Sequence, residues 1–429
     1  MRRIILTTIF IFLVIAVVAQ QLMSRQEIDS NPLLSASNMT VYPGPARQLT
    51  PAPKGKRPFY ISHYGRHGSR YMTKFVDYNY VLNTLQRAEY DGKLTPAGQD
   101  LLKKVSRIVA EGISRIGDLT PLGAEQHRDI ARRMMQRFPD VFKGNVRIEA
   151  RSTMVPRCIL SMGVATNQLT AMNPKLNVSL NADLPDMFYL NYQDWDVIEK
   201  GIPLPVREAY DKYCSGLRHW QRLVNSVFTD SVYVKNVLNG ELFNYYLFRM
   251  AGSMQNTPLG QELSIFDFFT SDEIYDNWKM ENARWYLGYS HTMYAGGNAP
   301  FVQRNLLRRI IEQADSCLQI ERPGATLRFG HETVLVGLAS LMELNGVGKD
   351  IKNLEELEQS GWLTYKIMPM ACNVQIIFYR KNPSDEDVLV KVLYNEDEAT
   401  LPVDSSTAPY YKWSDVRAYY MKKLDSYGQ

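Results

Sequence analysis

The 429-residue sequence lacks the charge excess of a nucleic-acid-binding protein. Its 49 lysines and arginines stand against 45 aspartates and glutamates, which leaves a formal net charge of +4. No run of basic residues of the kind that grips a duplex is present, so we expect no nucleic-acid partner. The sequence also lacks a repeat of fixed period and a low-complexity tract. The function must therefore be sought in local motifs.

Cysteine is scarce, and its spacing excludes two classes of site. The four residues are Cys158, Cys214, Cys317 and Cys372, too far apart for a CxxC redox motif or a zinc motif. In an exported protein they are possible disulfide partners, with three pairings that the sequence does not separate. Buried free thiols in a core that needs no cross-links are an equally open interpretation.

Long hydrophobic runs are missing except near the N-terminus, where two arginines precede an apolar stretch at residues 4–18. Val17 and Ala19 occupy the small-residue positions of a signal-peptidase cleavage site. The stretch is short for a full membrane span. We therefore expect a cleaved signal peptide at residues 1–19 and a secreted or periplasmic protein with no other membrane contact. An uncleaved anchor is the alternative.

The order of the predicted elements favours an α/β domain with a helical insertion. Residues 59–62 form a short apolar run typical of a buried strand. Two helices follow, each opened by a threonine N-cap and a proline, in "LTPAG" at Leu94 and "LTPLG" at Leu119. A strand and a helix come next, and two strands close the chain.

Composition divides the chain into the predicted regions. Residues 20–56 are rich in proline and serine and are interpreted as an extended lead-in. Asn38, within it, and Asn177 begin tripeptides that fit glycosylation acceptors. The predicted regions are a signal peptide at 1–19, a lead-in at 20–56, an α/β catalytic domain at 57–182 and 301–429, and an inserted, mostly helical cap at 183–300.

The stretch "YISHYGRHGSRY" holds two of the six histidines. Arg66, His67 and Arg70 follow the predicted buried strand directly, at the position where open α/β sheets bind ligands. Two guanidiniums beside an imidazole match the oxygens of a phosphate group. The alternative is a surface loop whose basic residues are solvated.

Two later segments have the same strand–turn–helix pattern. "RSTMVPRCILS" brings Arg151 and Arg157, either of which would add a third guanidinium. "LRFGHETVLVGL" places His331 and Glu332 at a helix N-terminus, which favours anion binding. A carboxyl group there suits the protonation of an alkoxide leaving group. For Glu332 alone, the simpler interpretation is an acidic residue that complements the helix dipole.

Together these residues predict a phosphoryl transfer. His67 is the nucleophile, the arginines and His331 hold the phosphoryl oxygens, and Glu332 protonates the leaving oxygen. We expect no metal and no cofactor, because the guanidiniums supply the positive charge. The remaining histidines, at 63, 127, 219 and 291, show no metal-ligand spacing.

These motifs resemble the histidine acid phosphatase family. "RHGSR" is similar to its RHGxR signature, and "LTPLGAEQH", "RSTMVPRC" and "GHETVLVGL" follow in the family's order. The resemblance spans residues 66–338 and implies an α/β core with a helical cap. It also implies a nucleophile at His67 and phosphate ligands at Arg66, Arg70, Arg157 (rather than Arg151) and His331.

Within that family the chain looks most like the multiple inositol polyphosphate phosphatases. Those carry RHGxRYPT and a His-Ala-Glu tripeptide, whereas this sequence has Met72 for the proline and His331-Glu332-Thr333. The resemblance implies an inositol polyphosphate such as phytate as substrate. A highly phosphorylated ring needs more cations around the cleft than one phosphate does, and Lys74, close behind the motif, is the candidate for such a phosphate contact; a solvated lysine is the alternative. A broad-specificity acid or sugar phosphatase is the alternative, and a non-catalytic phosphate-binding protein is a third.

Overall fold

The structure is a computed structural model that describes residues 23–192, 194 and 202–428. The predicted signal peptide lies outside these residues. Within the described part of the chain, no helix is both long and apolar enough to cross a membrane.

One mixed sheet organises the fold. Its strands are β1 (Arg57–Arg66), β2 (Arg147–Ser152), β3 (Asn177–Asn181), β4 (Gly324–Gly330), β5 (Asn373–Arg380), β6 (Leu389–Tyr394), β7 (Asp397–Glu398) and β8 (Tyr411–Lys412). The strand order is β3-β2-β4-β1-β5-β6-β7, and β8 also pairs with β6. The first four strands in this order run parallel, and β5 begins an antiparallel half.

Helices account for most of the remaining regular structure. They are α1 (residues 23–30), α2 (Phe75–Tyr90), α3 (Pro96–Gly112), α4 (Pro121–Arg137), α5 (Pro156–Met172), α6 (Met187–Leu190), α7 (Leu204–Cys214), α8 (Gln221–Val227), α9 (Ser231–Val237), α10 (Gly240–Ser253), α11 (Ser271–Tyr289), α12 (Arg304–Leu318), α13 (Glu332–Leu341), α14 (Thr364–Ile367) and α15 (Trp413–Asp425). Short 3-10 helices cover Pro32–Met39, Pro139–Phe142, Met254–Asn256, Pro258–Gln261, Phe266–Phe268, Met293–Ala295, Ala299–Gln303, Leu344–Gly346 and Leu354–Glu356.

The predicted α/β class is confirmed, and so are both helix starts. The side chains of Thr95 and Thr120 accept hydrogen bonds from the third residue of α3 and α4 respectively, and proline is the first residue of each helix. The strand expected at 59–62 is longer, because β1 pairs along its whole length with β4 and β5.

Apolar side chains pack on both faces of the sheet. One buried cluster joins α12, α13 and α15 to one face, and a second joins α4 and α5 to the other. A third cluster contains the helices α8, α10 and α11 of the predicted cap together with α2 and α3. The helical layer therefore includes more than residues 183–300, and the proposed division into domains stays a prediction.

The expectation of an extended lead-in at residues 20–56 is wrong for its first part. Residues 23–30 are helical, and Pro32–Met39 forms a 3-10 helix whose last five residues are buried. The proline content led to the wrong expectation, because proline at the first turn of a helix is compatible with helical structure. Asn38 is buried, so it is not accessible for glycosylation in the folded chain.

All four cysteines are free thiols, which decides the alternative that the sequence left open. Cys158, Cys214 and Cys372 are buried, and Cys317 is half-buried. The fold is held by its apolar clusters without cross-links.

Candidate active site

Three parallel strands end at one edge of the sheet and define the candidate site. Arg66, the last residue of β1, pairs with Gly330, the last residue of β4. Ser152, at the end of β2, pairs with Phe329. His67 and His331 thus each follow a strand end, and their ring centroids lie 5.8 Å apart. The edge is the one at which open α/β sheets bind ligands.

His67 is fully buried and held by backbone groups. Its N–H donates to the carbonyl of Gly330 at 3.0 Å. Its Nδ1 lies 2.9 Å from the carbonyl oxygen of Gly68. Because a carbonyl oxygen only accepts, Nδ1 carries the hydrogen and Nε2 keeps its lone pair. Among the described residues, Nε2 has no hydrogen-bond partner.

The charge state of His67 suits a nucleophile. Burial, followed by the nearby Arg66 guanidinium, lowers the pKa of His67 well below its ordinary value. The ring is therefore neutral at physiological and mildly acidic pH. A neutral imidazole with a free Nε2 lone pair is the reactive form for attack on phosphorus.

Three guanidiniums surround this imidazole. The charges of Arg66, Arg157 and Arg70 all oppose protonation of His67. In the described structure, Nη2 of Arg66 and the Nε atoms of Arg70 and Arg157 are buried without a hydrogen-bond partner. Buried donors of this kind are costly unless an acceptor is available, so the cluster is suited to an anion with several oxygens.

The position of the His67 loop explains the "LTPLG" motif. Both the N–H and the hydroxyl of Thr120 donate to the carbonyl of Ser69, at 2.9 and 3.1 Å. A Cβ on Gly123 would lie 2.2 Å from the Ser69 oxygen. Only glycine permits this approach, so the first turn of α4 braces the loop directly.

Glu332 extends from the first turn of α13 into the guanidinium cluster. Its Oε2 lies 3.1 Å from Nε of Arg66 and 3.7 Å from Nε2 of His67. Its Oε1 is 3.9 Å from Nη2 of Arg70. Burial raises the pKa of this carboxyl, but the charges of Arg66 and Arg70 outweigh burial and hold the pKa well below its usual range. Glu332 is therefore ionised in this arrangement.

His331 forms the other wall of the site. Its Nε2 lies 3.3 Å from the hydroxyl of Thr153, and the Cys158 thiol is 3.9 Å from the same atom. Burial lowers the pKa of His331 to about 4. A neutral imidazole beside the cluster can donate one N–H to a phosphate oxygen without adding a further positive charge to the site.

One atom each from His67, His331 and Glu332 lie within 4.8 Å of one another, a spacing that permits metal coordination. The guanidiniums of Arg66 and Arg70 lie in the same place and repel a cation. The electrostatics of the site therefore favour an anion over a metal ion.

The structure separates the two arginines of the "RSTMVPRC" segment. Arg151 forms ion pairs with Glu149 at 2.6 Å and with Asp186 at 2.5 Å, so its charge is already neutralised. The Arg157 charge acts on both His67 and His331. Arg157 is thus the arginine of this segment that belongs to the cluster.

Lys74 is exposed at the N-terminal end of α2 and makes no hydrogen bond or ion pair with the cluster in the described part of the chain. Six of the seven predicted site residues thus come together, whereas Lys74 does not join them in the described structure. Its predicted role as a further phosphate contact stays a prediction.

Sequence reasoning missed Asn38. Its side-chain amide donates to Oε1 of Glu332 at 3.1 Å, although the two residues are 294 positions apart. Its carbonyl accepts a hydrogen bond from Nη1 of Arg66. The glycosylation tripeptide that begins at Asn38 does not indicate a role in the site, and the composition around it indicated a lead-in without function.

Comparison with solved structures identifies the fold. The multiple inositol polyphosphate phosphatase of Bifidobacterium longum, in complex with inositol hexasulfate, matches with a TM-score of 0.77 and 18% identity, over 92% of this chain and 99% of that chain. Its complex with phosphate gives a TM-score of 0.75 over the same shares. The chain has the fold of this phosphatase.

A phytase from D. castellii also matches, with a TM-score of 0.66 and 15% identity, over 92% of this chain and 85% of that chain. No family model matches the sequence, and no curated protein is similar to it. At such low identity the likeness carries the fold alone. The function rests on the geometry of the site.

Proposed function

We propose that the protein is a phosphomonoesterase that works through a phosphohistidine on His67. The observation that carries the proposal is the buried, unprotonated Nε2 of His67 among the guanidiniums of Arg66, Arg70 and Arg157. Attack on phosphorus needs a free lone pair, and the transferred phosphoryl group needs cations around its equatorial oxygens. Both requirements meet at this atom.

The position of Glu332 suggests how the phosphoryl group enters. A phosphorus atom in line for attack lies about 3–3.5 Å from the nucleophile. Glu332 Oε2 is 3.7 Å from Nε2 of His67, so the carboxylate and the phosphoryl group compete for the same space. The substrate then displaces Oε2 from Arg66. With the phosphate between it and the arginines, the carboxyl loses the cations that hold its pKa down, so its pKa rises.

The proposed chemistry has two half-reactions. In the first, Nε2 of His67 bonds to phosphorus, the bond from phosphorus to the ester oxygen breaks, and protonated Glu332 gives its proton to that oxygen. In the second, the Glu332 carboxylate takes a proton from a water whose oxygen attacks phosphorus. The P–N electron pair returns to Nε2, and inorganic phosphate and protonated Glu332 remain.

We infer an inositol polyphosphate as the preferred substrate. The B. longum neighbour is a multiple inositol polyphosphate phosphatase solved with inositol hexasulfate. In this chain, Arg249 of α10 adds a further cation close enough to lower the pKa of Arg70. Its Nε lies 4.0 Å from the Asp77 carboxylate and makes no hydrogen bond among the described residues. A fourth guanidinium, beyond the three that surround the transferred phosphate, favours a ligand with several phosphates. Lys74 would add another cation to those around the transferred phosphate. Separately, the signal-like N-terminus supports export.

The test is phosphate release by the purified protein at acidic pH, with phytate, glycerol 2-phosphate and p-nitrophenyl phosphate as substrates. We expect all three to be hydrolysed, with the highest kcat/KM for phytate. Equal kcat/KM for phytate and glycerol 2-phosphate would favour a broad-specificity phosphatase. No release from any ester would leave a non-catalytic phosphate-binding protein.

Glu332→Gln tests the acid. It should slow glycerol 2-phosphate about 10²-fold or more, because an alkoxide needs the proton, while p-nitrophenyl phosphate should be affected far less in the first half-reaction. Burst kinetics with p-nitrophenyl phosphate isolate that half-reaction. Equal slowing of both bursts contradicts the acid role.

A further inference from the structure

We propose that Asn38 is the positioning residue for the Glu332 acid. The Asn38 amide orients the carboxyl group of Glu332 and directs its proton to Oε2. The proposal rests on the proposed function, since it assigns a partner to the acid of that reaction. The carrying observation is the 3.1 Å hydrogen bond from the Asn38 amide nitrogen to Glu332 Oε1. Asn38 is buried, and Glu332 is its side-chain partner.

The two carboxylate oxygens of Glu332 have different surroundings. Oε2 faces Arg66 and His67, on the side where the substrate enters. Oε1 accepts the hydrogen bond from Asn38 and lies 3.9 Å from Nη2 of Arg70, too far for a hydrogen bond. A hydrogen-bond donor at Oε1 disfavours a proton on that oxygen. The proton of the acid form therefore resides on Oε2, the oxygen that faces the leaving group.

The same bond keeps Glu332 in place when the substrate arrives. A phosphoryl group displaces Oε2 from Arg66 and His67, so the ion pairs that now fix the carboxylate are lost. The amide of Asn38 contacts the other oxygen and does not compete with the phosphate. The hydrogen bond from Asn38 therefore remains, and the carboxyl group rotates about it toward the ester oxygen.

Asn38 itself is firmly held. Its carbonyl accepts from Arg66, and the next carbonyl, of Met39, accepts from the Asn256 amide at 2.7 Å. The preceding residue, Ser37, has φ 57° and ψ −118°, a conformation that is unfavourable for a residue with a Cβ. Strain of this kind persists only where the surroundings enforce it and occurs often at functional sites.

The experiment uses Asn38→Leu, which keeps the approximate size of the side chain and removes the amide. We expect kcat for glycerol 2-phosphate to fall about tenfold, which is less than the loss expected when the acid itself is removed. The rate of the p-nitrophenyl phosphate burst should change less than about twofold. In the Glu332→Gln background, Asn38→Leu should add no further ester-selective loss, because the group it positions is gone.

Gln255→Leu is the matched control. Gln255 accepts from Val41 at 3.0 Å and donates to Leu33 at 3.0 Å, so it holds the same segment without contacting Glu332. Its loss should lower the melting temperature without separating the two esters. The proposal is overturned if Asn38→Leu slows the hydrolysis of both esters equally. It is also overturned if Asn38→Leu causes the same ester-selective loss in the Glu332→Gln background as in the unchanged protein.

Asn38→Asp serves if the leucine variant does not fold. It is isosteric and places a second carboxyl against Glu332, which raises the pKa of the acid. The basic limb of the pH–kcat profile should move to higher pH, and an unmoved limb overturns the proposal. Failure of the proposed function itself looks different: Glu332→Gln alone would then show no ester selectivity.

Discussion

His67 and Glu332 lie within 3.7 Å of each other, but the structure holds them by different means. On the nucleophile side, backbone hydrogen bonds fix His67, and the first turn of α4 packs against its loop. On the acid side, Glu332 is held by ion pairs and by one amide from a distant segment. The nucleophile must be placed before the substrate binds, whereas the acid must move when it binds.

The largest expected effect is the loss of the nucleophile. His67→Ala should reduce phosphate release by about 10³-fold or more without changing the melting temperature by more than a few degrees. The control is His63→Gln, four residues earlier, where the ring packs against Phe329 and the nearby guanidinium is that of Arg328, not one of the three around His67. That variant should lose stability and keep kcat. If His67→Ala retains a tenth of the activity, the phosphohistidine mechanism is wrong.

His127, a buried residue of the helix α4 that packs against the His67 loop, predicts an effect of pH on stability. Burial lowers the pKa of His127 to about 4 in the folded chain, against 6.5 for the ordinary side chain. The unfolded state therefore binds the proton first, and the free energy of unfolding falls as pH drops from 6.5 to about 4. The loss is about 1.4 kcal/mol per pH unit for this histidine.

Urea unfolding at pH 7, 6, 5 and 4 measures this slope. His127→Gln should make the slope shallower by the contribution of one histidine, whatever it does to stability at pH 7. An unchanged slope would show that His127 does not titrate differently in the two states. Glu332 should contribute in the same sense as His127 but at lower pH, because its lowered pKa means that the unfolded carboxyl, with an ordinary pKa of 4.5, binds the proton before the folded one does.

A smaller effect is expected from the brace between α4 and the His67 loop. Gly123→Ala would place a Cβ 2.2 Å from the Ser69 oxygen, so the loop or the helix must shift. We expect a loss of about 1–3 kcal/mol of stability and a lower kcat. Gly163→Ala on α5 is the matched control, because nothing lies within 4 Å of its Cβ. It should be neutral or stabilising. Equal changes in unfolding midpoint for both variants would refute the brace.

Much of the site could be predicted from the sequence, because each motif is a local unit. Arg66 ends one strand and His67 and Arg70 follow it, while His331 and Glu332 follow another strand. The carboxyl ends of parallel strands meet at one edge, so residues that follow such strands are brought together. The residues alone left Arg151 and Arg157 open, and the family resemblance implied Arg157. The structure supplies the physical reason, because it shows Arg151 paired with two carboxylates.

The lead-in could not be interpreted correctly from composition. Pro32 opens a 3-10 helix instead of an extended segment, and the burial of this helix comes from packing against residues such as Gly252 and Met370, far along the chain. Local composition contains no information on such partners. The same holds for the extension of the helical layer to α2 and α3, which is decided by the apolar faces that meet in the folded chain.

By itself, the sequence determined the α/β class, the starts of α3 and α4, and a site of imidazoles and guanidiniums at strand ends. These follow from local rules on capping, periodicity and the order of elements. Only the tertiary structure decided that Glu332 occupies the space a phosphoryl group needs, and that Asn38 holds its other oxygen. The physical reason is that a hydrogen bond across 294 residues depends on the whole fold, and no local pattern encodes it.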